Sequence, residues 1–204
     1  MPPNTPLFNP EQYFEKHRDP VLHGLGVFAL YVVGSVVLVY LVIQLLIDHS
    51  RNVPPAAISA LNNMVLALTA FTIPVAIVSL LLVAGVMHFW VSDRETHGSF
   101  GAALGVAAWS YAPEVLSLPV EYILARLHFR GRTFDASDPE QFTAQADAML
   151  AGMNLSGIVV SLIVVGWSVI ILTRGIATTH GVDPDKALVP ALIIGIVSFI
   201  LQVI

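Results

Sequence analysis

Apolar residues dominate five stretches of this chain, at residues 24–47, 60–91, 100–124, 155–173 and 187–204. A helix needs roughly 20 predominantly apolar residues to cross the hydrocarbon core of a bilayer. The last stretch is slightly short and needs only a small mismatch adjustment. The pattern predicts an all-α polytopic membrane protein, a bundle of five transmembrane helices with short interfacial helices. Residues 1–21 read as an N-terminal tail and interfacial helix, and residues 22–204 as the five-span membrane domain.

The polar segments predict two capped helices. Asn9-Pro10-Glu11-Gln12 places an N-cap residue, a proline at the first helical position and a glutamine three residues after the cap. This helix is expected to run to about Arg18, where Asp19-Pro20 stops it. Its Tyr13 and Phe14 suit the membrane–water interface. Asp138-Pro139-Glu140-Gln141 repeats the capping logic. The helix expected there runs to about Leu150, with Phe142, Ala146, Met149 and Leu150 on one face. It is expected to lie in a long polar connection, residues 125–153, separate from the fourth span.

The third stretch departs from a plain span. Gly101, Ala102, Ala103, Gly105, Ala107 and Ala108 form a small-residue face for close helix packing, and Ser99 is placed to cap its start. Pro113-Glu114 and Pro119-Val120-Glu121 follow. Two prolines and two carboxylates predict a helix break at Pro113 and Pro119, buried among other helices. In the second stretch, Asn62 and Asn63 are expected at the entrance, and Pro74 is expected to kink the helix.

Composition agrees with this picture. The chain is 204 residues long, 56% hydrophobic and 11% charged. A soluble domain is about 25% charged. A disordered chain needs low hydrophobicity. The formal charge of −5 comes without a basic stripe, so no nucleic acid partner is expected. The expected partners are the lipid bilayer and other membrane proteins, or a second copy of the chain. Cysteine is absent, which removes disulfides, thiolate metal sites and thiol nucleophiles. The polar, proline-bearing start is unlike a cleavable signal peptide, so the first span is expected to be retained.

The positive-inside rule is nearly balanced. With the N-terminus cytoplasmic, the inside segments hold Lys16, Arg18, Arg94, Arg174 and Lys186. The outside segments hold Arg51, Arg126, Arg130 and Arg132. Leaving out the longer loop tips the balance, and the expectation is a multi-pass protein of the cell membrane with its N-terminus in the cytoplasm and its C-terminus outside.

Candidate chemistry is sparse. Glu114 and Glu121 lie seven residues apart, on one face of a straight helix. A charge at mid-bilayer costs roughly 2.5–3.5 kcal/mol, so each such carboxylate marks either an ion or proton site or a polar packing contact. His88 stands beside Phe89 and Trp90 at the end of the second span, as in an interfacial belt; a proton relay to Glu114 is the sharper alternative. The other histidines are scattered through termini and loops, without metal-ligand spacing. No cofactor, metal or catalytic residue is expected: G-x-S-x-G, Walker A and G-x-G-x-x-G patterns are all missing.

Three segments, in order, resemble the Yip1 family of five-span membrane proteins, in its bacterial and archaeal branch. The first is Leu7-Phe8-Asn9-Pro10-Glu11-Gln12-Tyr13-Phe14-Glu15, followed by Asp19-Pro20. It is similar to the Pro-x-x-Phe-Phe stub of that branch, with Tyr13-Phe14 in place of the double phenylalanine. The second runs from His88 through Gly98-Ser99-Phe100 and Trp109-Ser110-Tyr111-Ala112-Pro113 to Pro119. The third is Trp167-Ser168-Val169-Ile170-Ile171-Leu172, then Gly175, His180-Gly181 and Lys186-Ala187-Leu188. Glu114 and Glu121 are more acidic than the apolar residues of the family pattern. The resemblance implies a five-span fold and assigns no reaction to that branch; the missing catalytic motifs, the interfacial helices and the small-residue face of the third span point to a non-enzymatic membrane-organising, scaffold or adaptor role. The resemblance carries no GTPase contact over, because the longer cytoplasmic domain of the eukaryotic relatives has no counterpart in the 21 residues before the first span. A small transporter or channel subunit using the intramembrane carboxylates is the alternative, and an intramembrane enzyme the third reading.

Overall fold

The computed structural model describes residues 5–17, 20–92, 98–137 and 139–203, with backbone only at 139, 141, 143, 146–156 and 203. Its helices are α1 Pro10–Lys16, α2 Val21–Asp48, α3 Pro55–Val91, α4 Phe100–Trp109, α5 Ala112–Phe129, α6 Pro139–His180 and α7 Pro184–Val203. Two residue pairs, β1 Ser50–Arg51 and β2 Phe134–Asp135, make a parallel bridge. Among the described residues, four stretches are long and apolar enough to cross a membrane: Val21–Asp48, Pro55–Val91, Gly157–His180 and Pro184–Gln202.

The N-terminal cap forms as its residue types require. Asn9 Oδ1 accepts from the Gln12 amide at 3.2 Å, and Asn9 Nδ2 donates to Gln12 Oε1 at 3.3 Å. The destination of α1 differs from expectation. Tyr13 and Phe14 are buried against the bundle rather than turned to a membrane surface. Phe14 fits where Gly175 of α6 leaves room, and Tyr13 meets Trp109 edge-on at 5.3 Å. α1 ends at Lys16, with His17 as its C-cap, short of the expected Arg18; of the expected stop Asp19-Pro20, Asp19 lies outside the described residues, as does Arg18.

The third apolar stretch is divided. Ser99 Oγ caps α4 by accepting from the Ala102 amide at 3.1 Å. The small-residue face of α4 packs on α2 so tightly that a Cβ on Gly24 would stand 2.5 Å from the Gly105 carbonyl oxygen. The chain then breaks at Ser110–Tyr111, and Pro113 takes its place in the first turn of α5. The physical cause is local. A proline has no amide to offer the Trp109 carbonyl, and its ring disfavours a helical residue before it. The Ser110 carbonyl, left at the break, accepts from Ser168 Oγ of α6 at 2.7 Å. At Pro119 there is no break: α5 runs through it. Four of the five expected spans therefore stand as long helices, and the fifth is split between α4 and α5.

The larger difference concerns α6. The expected interfacial helix and fourth span are one continuous helix from Pro139 to His180. No proline interrupts residues 140–183. Arg174 and Gly175, expected in a loop, lie inside this helix. Its end is a Schellman motif: Gly181 takes φ +66°, and the Val182 amide donates to the Ala177 carbonyl at 3.0 Å. The expected cap Asp138 lies outside the described residues, as do the side chains of Ala146, Met149 and Leu150. Similarly, α3 starts at Pro55, so Asn62 and Asn63 sit two turns inside it.

The core is unevenly distributed. Phe14, Met87, Val91, Val106, Ile171 and Ile176 are almost fully buried where α1 docks between α4 and α6. At the far end of the bundle Phe129 and Phe134 pack on Leu45 and Leu46 of α2. There the β1–β2 bridge ties the α2–α3 turn to the α5–α6 connection. Asp135 is held below the usual carboxylate range by its hydrogen bonds from Ser137 and then from Asn52.

Candidate functional site

Two polar places stand out in this apolar framework. The first is at the start of α5. Glu114 lies in the first turn of that helix, where the N-terminal dipole favours a carboxylate. Gln202 Nε2 of α7 donates to its Oε1 at 3.1 Å. One turn on, the Ser117 hydroxyl donates to the Glu114 carbonyl at 2.9 Å and lies 2.6 Å from Glu121 Oε1. A hydroxyl has one proton to donate, so this triad shares it between two acceptors. The rings of Tyr31 and Tyr111, centroids 4.9 Å apart, stand beside the break, with Phe28 edge-on to Tyr111 at 5.1 Å. Thus Glu114 ties α5 to α7, and Glu121 is held within its own helix.

The second place is a histidine pair. His88 Nδ1 of α3 lies 3.1 Å from His180 Nε2 of α6. His180 is fully buried. Thr179 Oγ1 lies 3.1 Å from its other ring nitrogen, and Ser92 Oγ lies 3.4 Å from His88 Nδ1. Gly98 abuts the His180 ring with no room for a side chain. A neutral imidazole offers one donor and one acceptor, so the contact suits two neutral rings or one charged ring, but not two charged rings. Among the described residues no group of three or more His, Asp or Glu is placed to hold a metal ion.

The structure keeps these places apart. Gln202, which meets Glu114, follows Pro184 by about 27 Å of helix at 1.5 Å per residue, whereas His180 precedes Pro184. The relay between His88 and Glu114 therefore lacks its geometry. His88 does not simply join an aromatic belt either: Phe89 and Trp90 are exposed, while His88 turns to His180. The importance of His180 escaped the sequence reading, which placed it in a loop. Gly181 carried the signal, since a glycine one residue past a helix marks its end.

The sequence model of the Yip1 domain matches residues 5–204. The chain belongs to the Yip1 family. It is a multi-pass membrane protein carrying a Yip1 domain, and the matched region takes in α1 together with the long helices. No curated protein and no solved structure matches the chain. Among the described residues of this Yip1 domain, the sequence-predicted polar candidates take part in the Glu114–Gln202 contact, the Glu121–Ser117 contact and the His88–His180 pair.

Proposed function

We propose that this Yip1-domain protein is a non-enzymatic organiser of the membrane, a scaffold or adaptor for other membrane proteins, of the bacterial and archaeal branch of its family. The observation that carries this reading is the partnering of both intramembrane carboxylates: Glu114 accepts from Gln202, and Glu121 sits against Ser117. Glu114 is engaged between two helices and Glu121 within its own, which supports a packed bundle, whereas ion handling needs a carboxylate presented to water. The Pro113 break supports the same role, since its free Ser110 carbonyl is taken by Ser168.

Glu114→Gln keeps an acceptor oxygen for Gln202. The variant should therefore retain its fold, with a stability change of about 1 kcal/mol or less, the usual net worth of one hydrogen bond. Proton and cation flux into liposomes should be equally low in both proteins. A pH-dependent flux in the wild type that the variant loses would overturn the scaffold role and favour a small transporter.

The α4–α5 segment serves as the fifth crossing. It starts beside His88, at the end where α1 docks, and finishes with Phe129 against His49. Five crossings put the termini on opposite faces, with the N-terminus in the cytoplasm of the cell-membrane protein. A reporter fused after residue 204 should accordingly be active only outside the cytoplasm. Cytoplasmic activity would remove one crossing or invert the protein.

A further inference from the structure

The protons of the His88–His180 pair can be placed atom by atom. Thr179 Oγ1 donates its one proton to the Gly175 carbonyl at 2.8 Å. Toward His180 Nδ1, 3.1 Å away, the same oxygen is left to accept, so Nδ1 bears a hydrogen. A neutral His180 therefore turns a bare Nε2 towards His88. His88 Nδ1, 3.1 Å from it, is then the donor. One hydrogen lies on the line between the rings. A first added proton goes to His88 Nε2, off that line, and leaves the contact whole. A second finds one nitrogen left, His180 Nε2, and sets N–H against N–H between two cations. The closed arrangement admits one charge and excludes two.

The surroundings supply no counter-charge. The rings against His88 are Phe89 and Phe100, and the polar neighbours of the pair are Ser92 and Thr179. The turn into α7 carries Asp183, Asp185 and Lys186. On α1, which docks on α6, stand Glu11, Glu15, Lys16 and His17, with Glu11 paired to Arg174. Among the described residues neither ring pairs with a carboxylate, and the charge that bears on His180 is that of His88. Three helices meet at the pair. Gly98, just before α4, abuts the His180 ring, and Met87, Val91 and Ile176 are fully buried in the adjoining turns of α3 and α6. Parting the rings unseats the start of α4 and bares that part of the core.

We propose that the His88–His180 pair is an acid-operated latch: it fastens α3, α4 and α6 together at this end while at most one ring is charged, and releases them when acid charges both. The open form holds one proton more than the closed form. The closed form is therefore fully favoured above the ordinary histidine pKa of about 6.5 and loses ground as the pH falls below it.

Hydrogen exchange of the full chain in phosphatidylcholine nanodiscs, corrected for the intrinsic pH dependence of exchange, tests the latch. In the wild type, protection of residues 84–92, 98–106 and 174–182 should fall roughly 30-fold between pH 7.5 and pH 5. His88 is half-buried, so a side chain of similar length fits its place. His88→Gln supplies a neutral amide whose oxygen accepts from a charged His180, and its protection should stay level with pH. His88→Lys supplies a permanent charge, and acid should still loosen it. If His88→Gln does not fold, His180→Gln leaves a single ring and should be equally level. Asp93, Glu95 and His97, close by in sequence, are the same in every variant, so a difference between variants belongs to the pair. Wild-type protection that stays level down to pH 5 would overturn the latch. So would a glutamine variant as steep as the wild type, or a lysine variant without a slope.

Discussion

Gly105→Ala should lower the melting temperature of the purified protein in detergent, although alanine is the better helix former. A Cβ at Gly105 would stand 2.7 Å from Pro20 Cγ and 2.8 Å from both the Pro20 carbonyl carbon and the Val21 amide nitrogen. Two of these neighbours are backbone and cannot rotate away. Overpacking costs about 1–3 kcal/mol, and the gain in helix propensity is at most ~1 kcal/mol, so the clash prevails. Gly105→Leu should be worse and prevent α4 from seating on α2. The control is Gly85→Ala in α3, where a Cβ meets nothing within 4 Å. There the propensity gain stands alone and the melting temperature should rise. Parallel shifts in the two alanine variants would show that α2 and α4 do not touch as closely as described.

Phe14→Ala should release α1. Phe14 is 2% exposed, and truncating a buried phenylalanine costs about 3–5 kcal/mol. A helix of seven residues has no stability of its own in water, so losing the dock also loses the helix. Hydrogen exchange over residues 10–16 should accelerate by two orders of magnitude or more, at ~1.4 kcal/mol per factor of ten. Glu11→Gln is the informative comparison. Its ion pair with Arg174 joins two side chains that are each 49% exposed, and such pairs contribute only about 0–1 kcal/mol. The amides should barely respond to it. If both substitutions freed α1 equally, charge rather than the buried ring would hold it.

What the sequence made legible is short-range. The Asn9 and Ser99 caps, the small-residue face of α4 and the break before Pro113 each depend on residues within one or two turns. The contacts that give these parts a use are remote. Gln202 meets Glu114 across 88 positions, and His180 meets His88 across 92. No periodicity encodes such pairings. The end of α6 is hidden in the sequence for a different reason. Gly175 and Gly181 both resemble stop signals, and only tertiary packing separates them. Gly175 stays helical and accommodates Phe14, whereas Gly181 adopts the left-handed turn. No break forms at Pro119, since a membrane helix tolerates a proline when neighbours support it.

The continuity of α6 has a mechanical side. Forty-two residues make a rod of about 63 Å, roughly twice the hydrocarbon thickness of a bilayer. One end carries Phe142, and the other carries Arg174 and His180. A tilt of about 5° around its midpoint swings the tips by ~3 Å in opposite directions, given that length. A stiff rod of that length would couple its two ends, so that displacing the Phe142 tip would load what is fastened near the other. Here that is the seat of α1.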